Sequence, residues 1–108
     1  MNKVIDFSKD VYNLDSYEFK QVAGHDGGRS IVFVCSRNGE NKYVLRVSIL
    51  GDREEKEYLA ETEFVHYLAQ NGAPVADVFP SVNNNYVERM ECDGNVIHIS
   101  LFGYAKEC

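Results

Sequence analysis

One cation and one carboxylate in this sequence stand where they could form a buried ion pair. Arg46 is the one cation inside an apolar, alternating segment that is typical of a β-strand. Glu61 lies within the apolar stripe of the helix predicted after that strand. Because burying an unpaired charge costs at least several kcal/mol, a carboxylate on such a face needs a partner. The sequence therefore predicts that Arg46 and Glu61 pair between the strand and the helix.

The two elements that position this pair run from Lys42 to Val75. Alternation divides the strand into one face with Tyr43, Leu45, Val47 and Ile49 and another with Val44, Arg46 and Ser48. The helix is predicted from about Arg53 to about Gln70, ending at Asn71-Gly72 before Pro74. We expect its apolar stripe to pack on the sheet, with Glu63 on the solvated side; the stripe consists of Tyr58, Phe64, Val65 and Leu68.

The remaining segments read as short strands joined by tight turns. Residues 2–14 are interpreted as a short helix or an irregular lead-in. Further strands are predicted at residues 16–22, 31–36, 86–92 and 96–102, with turns at Asn38-Gly39, 83–85 and Asp93-Gly94. The predicted fold is α+β, a five-stranded antiparallel sheet with one long helix packed across it. Residues 1–15 would be a lead-in, and residues 16–108 one domain.

Composition narrows the class of protein. The chain has 108 residues, 44% hydrophobic and 12% aromatic, which is ordinary for one globular domain. A net charge of −6 disfavours nucleic acid as a partner, since nucleic-acid binders normally carry a basic face. No apolar run approaches the roughly 18 residues needed to cross a membrane. The first residues lack a signal-peptide core, so a cytoplasmic location is expected.

The cysteines and histidines do not form a pattern typical of metal binding or nucleophilic catalysis. Three cysteines without CxxC spacing are interpreted as two small strand residues and a terminal thiol: Cys35, Cys92 and Cys108. His25 is interpreted as a solvated loop residue, and His66 and His98 as structural. We expect no catalytic residue and no metal ligand in this chain.

The order of elements resembles a known family. With YVLRVS, AETEFVHYLAQNGAPV and ISLFGYA at their respective places, the chain resembles the N-terminal lobe of the aminoglycoside phosphotransferase and choline kinase family, a small-molecule branch of the protein-kinase-like fold. The resemblance covers roughly Tyr17 to the end of the chain. It implies ATP-dependent phosphorylation of a hydroxyl group on a small molecule, with Mg²⁺.

The resemblance implies roles for three residues of the central elements. Arg46 occupies the position of the family's strand-three Lys, which contacts the α- and β-phosphates; Arg is bulkier and not interchangeable with Lys. Val44 would line the adenine, and Glu61 would hold the strand cation. The alternative interpretations are a surface arginine for Arg46 and a plain core residue for Val44.

Two further segments gain nucleotide-binding roles from the resemblance. A glycine-rich segment occupies the place of the phosphate-covering loop, where backbone N–H groups can approach phosphate: Gly24, Gly27 and Gly28. Its spacing is not GxGxxG, and glycine-rich hairpin loops without a ligand are common. Phe102 would border the adenine, and the backbone of Gly103 and Ala105 would pair with the adenine edge. The alternative is a terminal segment without a ligand.

The resemblance also implies that catalysis needs residues outside this chain. The family's catalytic Asp lies in a His-Gly-Asp type loop of a C-terminal lobe, which also supplies a magnesium-binding Asp, and the chain ends at Cys108. We therefore expect an N-terminal lobe that is inactive alone and does not bind ATP tightly, with the acceptor reached through the missing lobe. The exposed sheet face around Val44, Phe102 and Tyr104 could support self-association.

A second hypothesis stays open at this point. The chain could be a self-standing α+β binding or interaction module without nucleotide chemistry. A gene that continues past Cys108 into a His-Gly-Asp segment would favour the phosphotransferase interpretation, and a stop codon there would favour the module.

Overall fold

A computed structural model of the protein describes residues 2–24, 30–48, 55–73, 76–92 and 94–104. The helices are α1 (Asn2–Tyr12) and α2 (Glu55–Gln70). The strands are β1 (Glu18–Gly24), β2 (Ser30–Arg37), β3 (Glu40–Ser48), β4 (Val78–Phe79), β5 (Glu88–Cys92) and β6 (Asn95–Gly103). Neither described helix combines the length and the apolar character needed to cross a membrane.

The described strands form one antiparallel sheet. Its order is β1-β2-β3-β6, and β4 and β5 both pair with the outer edge of β6. The predicted α+β class is confirmed. The sheet has six strands instead of the predicted five, because the two-residue β4 also pairs with β6. The structure has two helices, the predicted long helix α2 and the N-terminal helix α1.

Left-handed backbone occurs in the predicted Asn38-Gly39 turn and at the predicted end of α2. Asn38 and Gly39 have φ values of 54° and 79° and join β2 to β3, as the Asn-Gly pair predicts for a two-residue hairpin. Gly72 has a φ of 85° directly after α2. The N–H of Ala73 then donates to the carbonyl of Leu68 at 3.0 Å, which closes the end of the helix.

The hydrophobic core lies between the sheet and α1. The sheet face that carries Leu45 and Val47, both fully buried, is covered by Val4 and Val11 of α1 and by Leu14. The hydroxyl of Tyr12 donates to the carbonyl of Ile99 at 3.2 Å, which also ties the end of α1 to β6. The N-terminal segment is therefore a helix that completes the core.

Helix α2 lies on the opposite, more polar face of the sheet, and its packing differs from the prediction. Phe64 is 60% exposed, although we expected it to face the sheet, while Val65 and Leu68 are half-buried. The side chain of Tyr58 lies outside the described residues. The physical reason is the composition of the sheet face below α2, which includes polar residues and cannot accept a broad apolar stripe: Arg46, Ser48, His98 and Ser100.

Candidate functional site

Arg46 occupies the middle of the sheet. Its backbone lies between Val32 of β2 and Ser100 of β6, so its side chain has strands on both sides. Its Nη1 donates a hydrogen bond to Oε1 of Glu61 on α2. The two side chains are 25% and 33% exposed, so the pair is partly screened from water. The structure thus brings together the two residues that the sequence predicted to pair.

An aromatic ring lies against the same guanidinium. The Cζ atom of Arg46 is 5.2 Å from the centre of the Phe102 ring, within the range of a cation–π interaction. Phe102 pairs with Val44 in the β3–β6 register, so both residues share the sheet face of Arg46. Three predicted nucleotide-binding residues are therefore adjacent, and Glu61 is held to them by its hydrogen bond.

The second terminal nitrogen of Arg46 has a different environment. Its Nη2 is buried and has no hydrogen-bond partner among the described residues. A buried donor without a partner costs about 1–3 kcal/mol, and more when it is charged. Such a nitrogen beside a carboxylate is suited to donate a hydrogen bond to an anionic oxygen, because an arginine can present two parallel donors to phosphate or carboxylate groups.

Gly103 follows Phe102 and is already engaged by the protein. Its N–H donates to the carbonyl of Asp77 at 2.9 Å. The prediction that the backbone of Gly103 pairs with adenine can therefore apply only to its carbonyl group. A side chain at this position would also meet Phe79, since a Cβ atom would lie 3.2 Å from the Phe79 ring. That ring packs edge-on against Tyr43, with centres 5.3 Å apart.

Asp77 also contacts α2 through its side chain. Its Oδ1 lies 2.9 Å from Nδ1 of His66 and accepts the N–H of Val78 at 2.8 Å. Partial burial alone would raise the pKa of Asp77, but the hydrogen bonds from His66, Val78 and Gln70 outweigh it, so the pKa lies below its usual value. The His66 ring packs against Tyr86 at 5.4 Å. His66 has a structural contact, as expected, although the sequence did not reveal its partner.

A buried carboxylate that the sequence analysis missed lies near the end of α1. Glu88 is 8% exposed and accepts hydrogen bonds from the hydroxyl of Ser81 and the side-chain amides of Asn83 and Asn85. Burial and, to a smaller extent, the charge of Glu88 raise the pKa of Tyr12. The Asn-rich turn was a signal for this cluster, but it was interpreted only as a turn.

Other predicted residues contribute less to this geometry. Gly24 ends β1, whereas Gly27, Gly28 and Ala105 lie outside the described residues. Cys35 is fully buried, and burial raises the pKa of its thiol to about 12, which agrees with a structural role. No group of three or more His, Cys, Asp or Glu side chains within the described ranges is arranged to hold a metal ion.

The fold of this chain is similar to part of the fold of solved small-molecule kinases. Among solved structures, the chain is similar to amicoumacin kinase in complex with AMP-PNP, Ca²⁺ and Ami, with a TM-score of 0.75 and 20% sequence identity. It is also similar to a microcompartment-associated aminopropanol kinase, with a TM-score of 0.79 and 13% identity. Each alignment covers 96% of this chain but only 30% and 31% of the respective kinase.

These similarities concern the fold, and both neighbours are named as kinases of small molecules. The resemblance inferred from the sequence is confirmed at this level. No protein-family model matches the sequence, and no curated protein matches it.

Proposed function

We propose that this chain is the ATP-binding N-terminal lobe of a small-molecule phosphotransferase that acts on a hydroxyl group. The observation that carries the proposal is the buried Nη2 of Arg46, which has no hydrogen-bond partner in the part of the chain that the structure describes, on a guanidinium that Glu61 and Phe102 contact. This arrangement leaves one fixed, charged donor for a phosphate oxygen.

The arginine fits this role although the family has a lysine there. A lysine ammonium is a single point charge that the carboxylate and the phosphates must share. In Arg46, Nη1 serves Glu61 and Nη2 remains for the α- or β-phosphate. The planar guanidinium can therefore bind the helix carboxylate and the nucleotide with different nitrogen atoms.

The neighbouring residues would position the rest of the nucleotide. Val44 and Phe102 would line the adenine, and the Gly103 carbonyl and Ala105 backbone would contact its edge. Gly24, Gly27 and Gly28 would lie over the phosphates. ATP would supply the phosphoryl group, with Mg²⁺ and the acceptor bound through a C-terminal lobe, so the chain alone should be inactive.

The comparisons support the proposal through the chemistry named for the neighbours. Amicoumacin kinase was solved with a nucleotide analogue and a divalent cation, and both neighbours are named as kinases. The fit of this chain to an anionic ligand rests independently on its own Arg46. The proposal that the phosphoryl acceptor is a hydroxyl group rests on the family resemblance.

Titration with AMP-PNP and with adenosine tests the proposal. We expect a dissociation constant weaker than about 10 μM for AMP-PNP, because one lobe covers only one side of the ligand. Arg46→Met should weaken AMP-PNP binding roughly tenfold or more but leave adenosine binding unchanged, since adenosine has no phosphate. Arg89→Met removes an arginine from β5 whose side chain is 53% exposed, and it serves as the matched control.

Three results would contradict the proposal. They are absence of AMP-PNP binding at millimolar concentration, equal losses for both ligands in Arg46→Met, and an equal loss of AMP-PNP binding in Arg89→Met. The first of these would favour the interaction module without nucleotide chemistry.

A further inference from the structure

Asp77 links three parts of the molecule at one point. Its carboxylate contacts His66 of α2 at 2.9 Å, and the same oxygen accepts the N–H of Val78, the first residue of β4. Its backbone carbonyl accepts the N–H of Gly103, the last residue of β6. Helix α2 is thereby tied to the segment directly after Phe102.

Polar contacts contribute to the position of helix α2, beside its half-buried Val65 and Leu68. Two large side chains on it, Phe64 and Tyr67, are 60% and 61% exposed, so they do not anchor it to the sheet. Its side-chain contacts with other described elements include the Arg46–Glu61 hydrogen bond, the contacts of His66 and Gln70 with Asp77, and the packing of His66 on Tyr86. Glu61 and His66 lie on the same helix, about one and a half turns apart.

The contacts of Asp77, His66, Glu61 and Arg46 form a continuous ring of interactions around the candidate site. Arg46 contacts Phe102, Phe102 is followed by Gly103, and Gly103 is bonded to Asp77. Asp77 contacts His66, and α2 then leads back to Glu61 and Arg46. A helix is stiff over this length, so a shift of α2 at His66 would also move the Glu61 carboxylate.

We infer that His66 and Asp77 are positioning residues: they fix α2 so that Glu61 remains bonded to Arg46 and directs its Nη2 toward the ligand. The ligand part of this inference rests on the proposed function, whereas the effect on the Arg46–Glu61 pair does not. His66 would act through Glu61 and Arg46 without touching the nucleotide.

The test begins with the guanidinium NMR signals of Arg46 in the 108-residue chain without nucleotide. An immobilised arginine shows separate Nη resonances, because hydrogen bonding slows rotation of its planar group. We expect these separate signals in the wild-type chain and their loss in His66→Ala. His66→Asn should restore them, because its Nδ2 can replace Nδ1 as the donor to Asp77. Tyr67→Ala is the matched control, since it removes an exposed ring from the next position of α2.

The second measurement is AMP-PNP affinity. His66→Ala should weaken it roughly two- to fivefold, with recovery in His66→Asn, because the loss of a partly exposed link has a modest effect. Far-UV circular dichroism and thermal melts establish that each variant is folded. If His66→Ala does not fold, Asp77→Ser replaces it as the variant that removes the same link.

The outcomes separate this inference from the proposed function. Unchanged Arg46 signals in a folded His66→Ala chain would overturn the inference, whatever the nucleotide does. Loss of the signals in Tyr67→Ala, or failure of His66→Asn to restore them, would also overturn it, because the effect would then be general to the helix. If the signals are lost in His66→Ala and restored in His66→Asn while the wild-type chain binds no AMP-PNP, the positioning role is supported and the proposed function is refuted.

Discussion

Arg46 donates its Nη1 hydrogen to the Glu61 carboxylate, and this bond joins the middle strand of the sheet to helix α2. The pair belongs to the polar side of the sheet, whereas the fully buried apolar residues lie on the other side under α1. The two faces therefore have different tasks. One face supplies most of the hydrophobic stabilisation, and the other carries the Arg46–Glu61 pair and the Phe102 ring.

The assignment of the core to α1 predicts a contrast between two apolar residues. Leu14 is 2% exposed, and Leu14→Ala should lower the free energy of unfolding by about 2–4 kcal/mol, because it leaves a cavity. Phe64 is 60% exposed, so Phe64→Ala should change it by no more than about 0.5 kcal/mol. Urea denaturation of both variants measures these differences. A larger loss of stability in Phe64→Ala than in Leu14→Ala would show that the hydrophobic core lies under α2 and not under α1.

Local patterns in the sequence predicted the hairpin and strand elements well. Strand alternation placed Leu45 and Val47 on one face and Arg46 on the other, since side chains of a strand alternate strictly. Asn38-Gly39 predicted the hairpin because few residues other than Asn and Gly adopt its left-handed backbone readily. The Arg46–Glu61 pair was predictable because a buried charge demands a partner.

Features that depend on distant parts of the chain were not predictable in the same way. Helix α1 has 11 residues, and an isolated helix of this length is marginal, so its stability comes from packing on the sheet. The helical periodicity of α2 could not show that Phe64 would remain exposed, because this depends on the polar sheet face opposite. The contact between His66 and Asp77 joins a helix to a later irregular segment, and no spacing rule predicts it.

The buried hydroxyl of Tyr12 predicts a pH-dependent stability. Its pKa is raised above 10.0, so the unfolded chain loses this proton first as the pH rises. The neutral hydroxyl makes its full contribution to the free energy of unfolding below about pH 10. Above that pH the contribution declines, and the loss is about 0.8 kcal/mol at about pH 10.5. Tyr12→Phe removes this dependence, and at neutral pH it also loses the bond to Ile99, worth about 0.5–1.5 kcal/mol.

Denaturant unfolding of the wild type and of Tyr12→Phe at about pH 8 and about pH 10.5 measures this effect. The difference in stability between the two proteins should become smaller at the higher pH. A difference that stays constant would mean that Tyr12 ionises equally in the folded and unfolded chains, contrary to its burial.

The last prediction concerns the two carboxylates of α2 that differ in position. Glu61 is bonded to Arg46 and its side chain is 33% exposed, whereas Glu63 is exposed. Glu61→Ala should lower the free energy of unfolding by about 1–2 kcal/mol, because the partly buried Arg46 loses the acceptor for Nη1. Glu61→Gln keeps an acceptor oxygen and should lose less. Glu63→Ala should lose no more than about 0.5 kcal/mol.

Thermal and urea melts of the three variants measure this order, and AMP-PNP titration adds a functional comparison. Glu61→Ala should also weaken AMP-PNP binding more than Glu63→Ala does, because an unanchored guanidinium no longer presents Nη2 in one direction. Equal AMP-PNP affinities of the two Ala variants would show that the Arg46–Glu61 pair does not contribute to ligand binding. Greater destabilisation by Glu63→Ala than by Glu61→Ala would show that α2 is rotated about its axis relative to this structure, and the Arg46–Glu61 pair could then not orient a ligand.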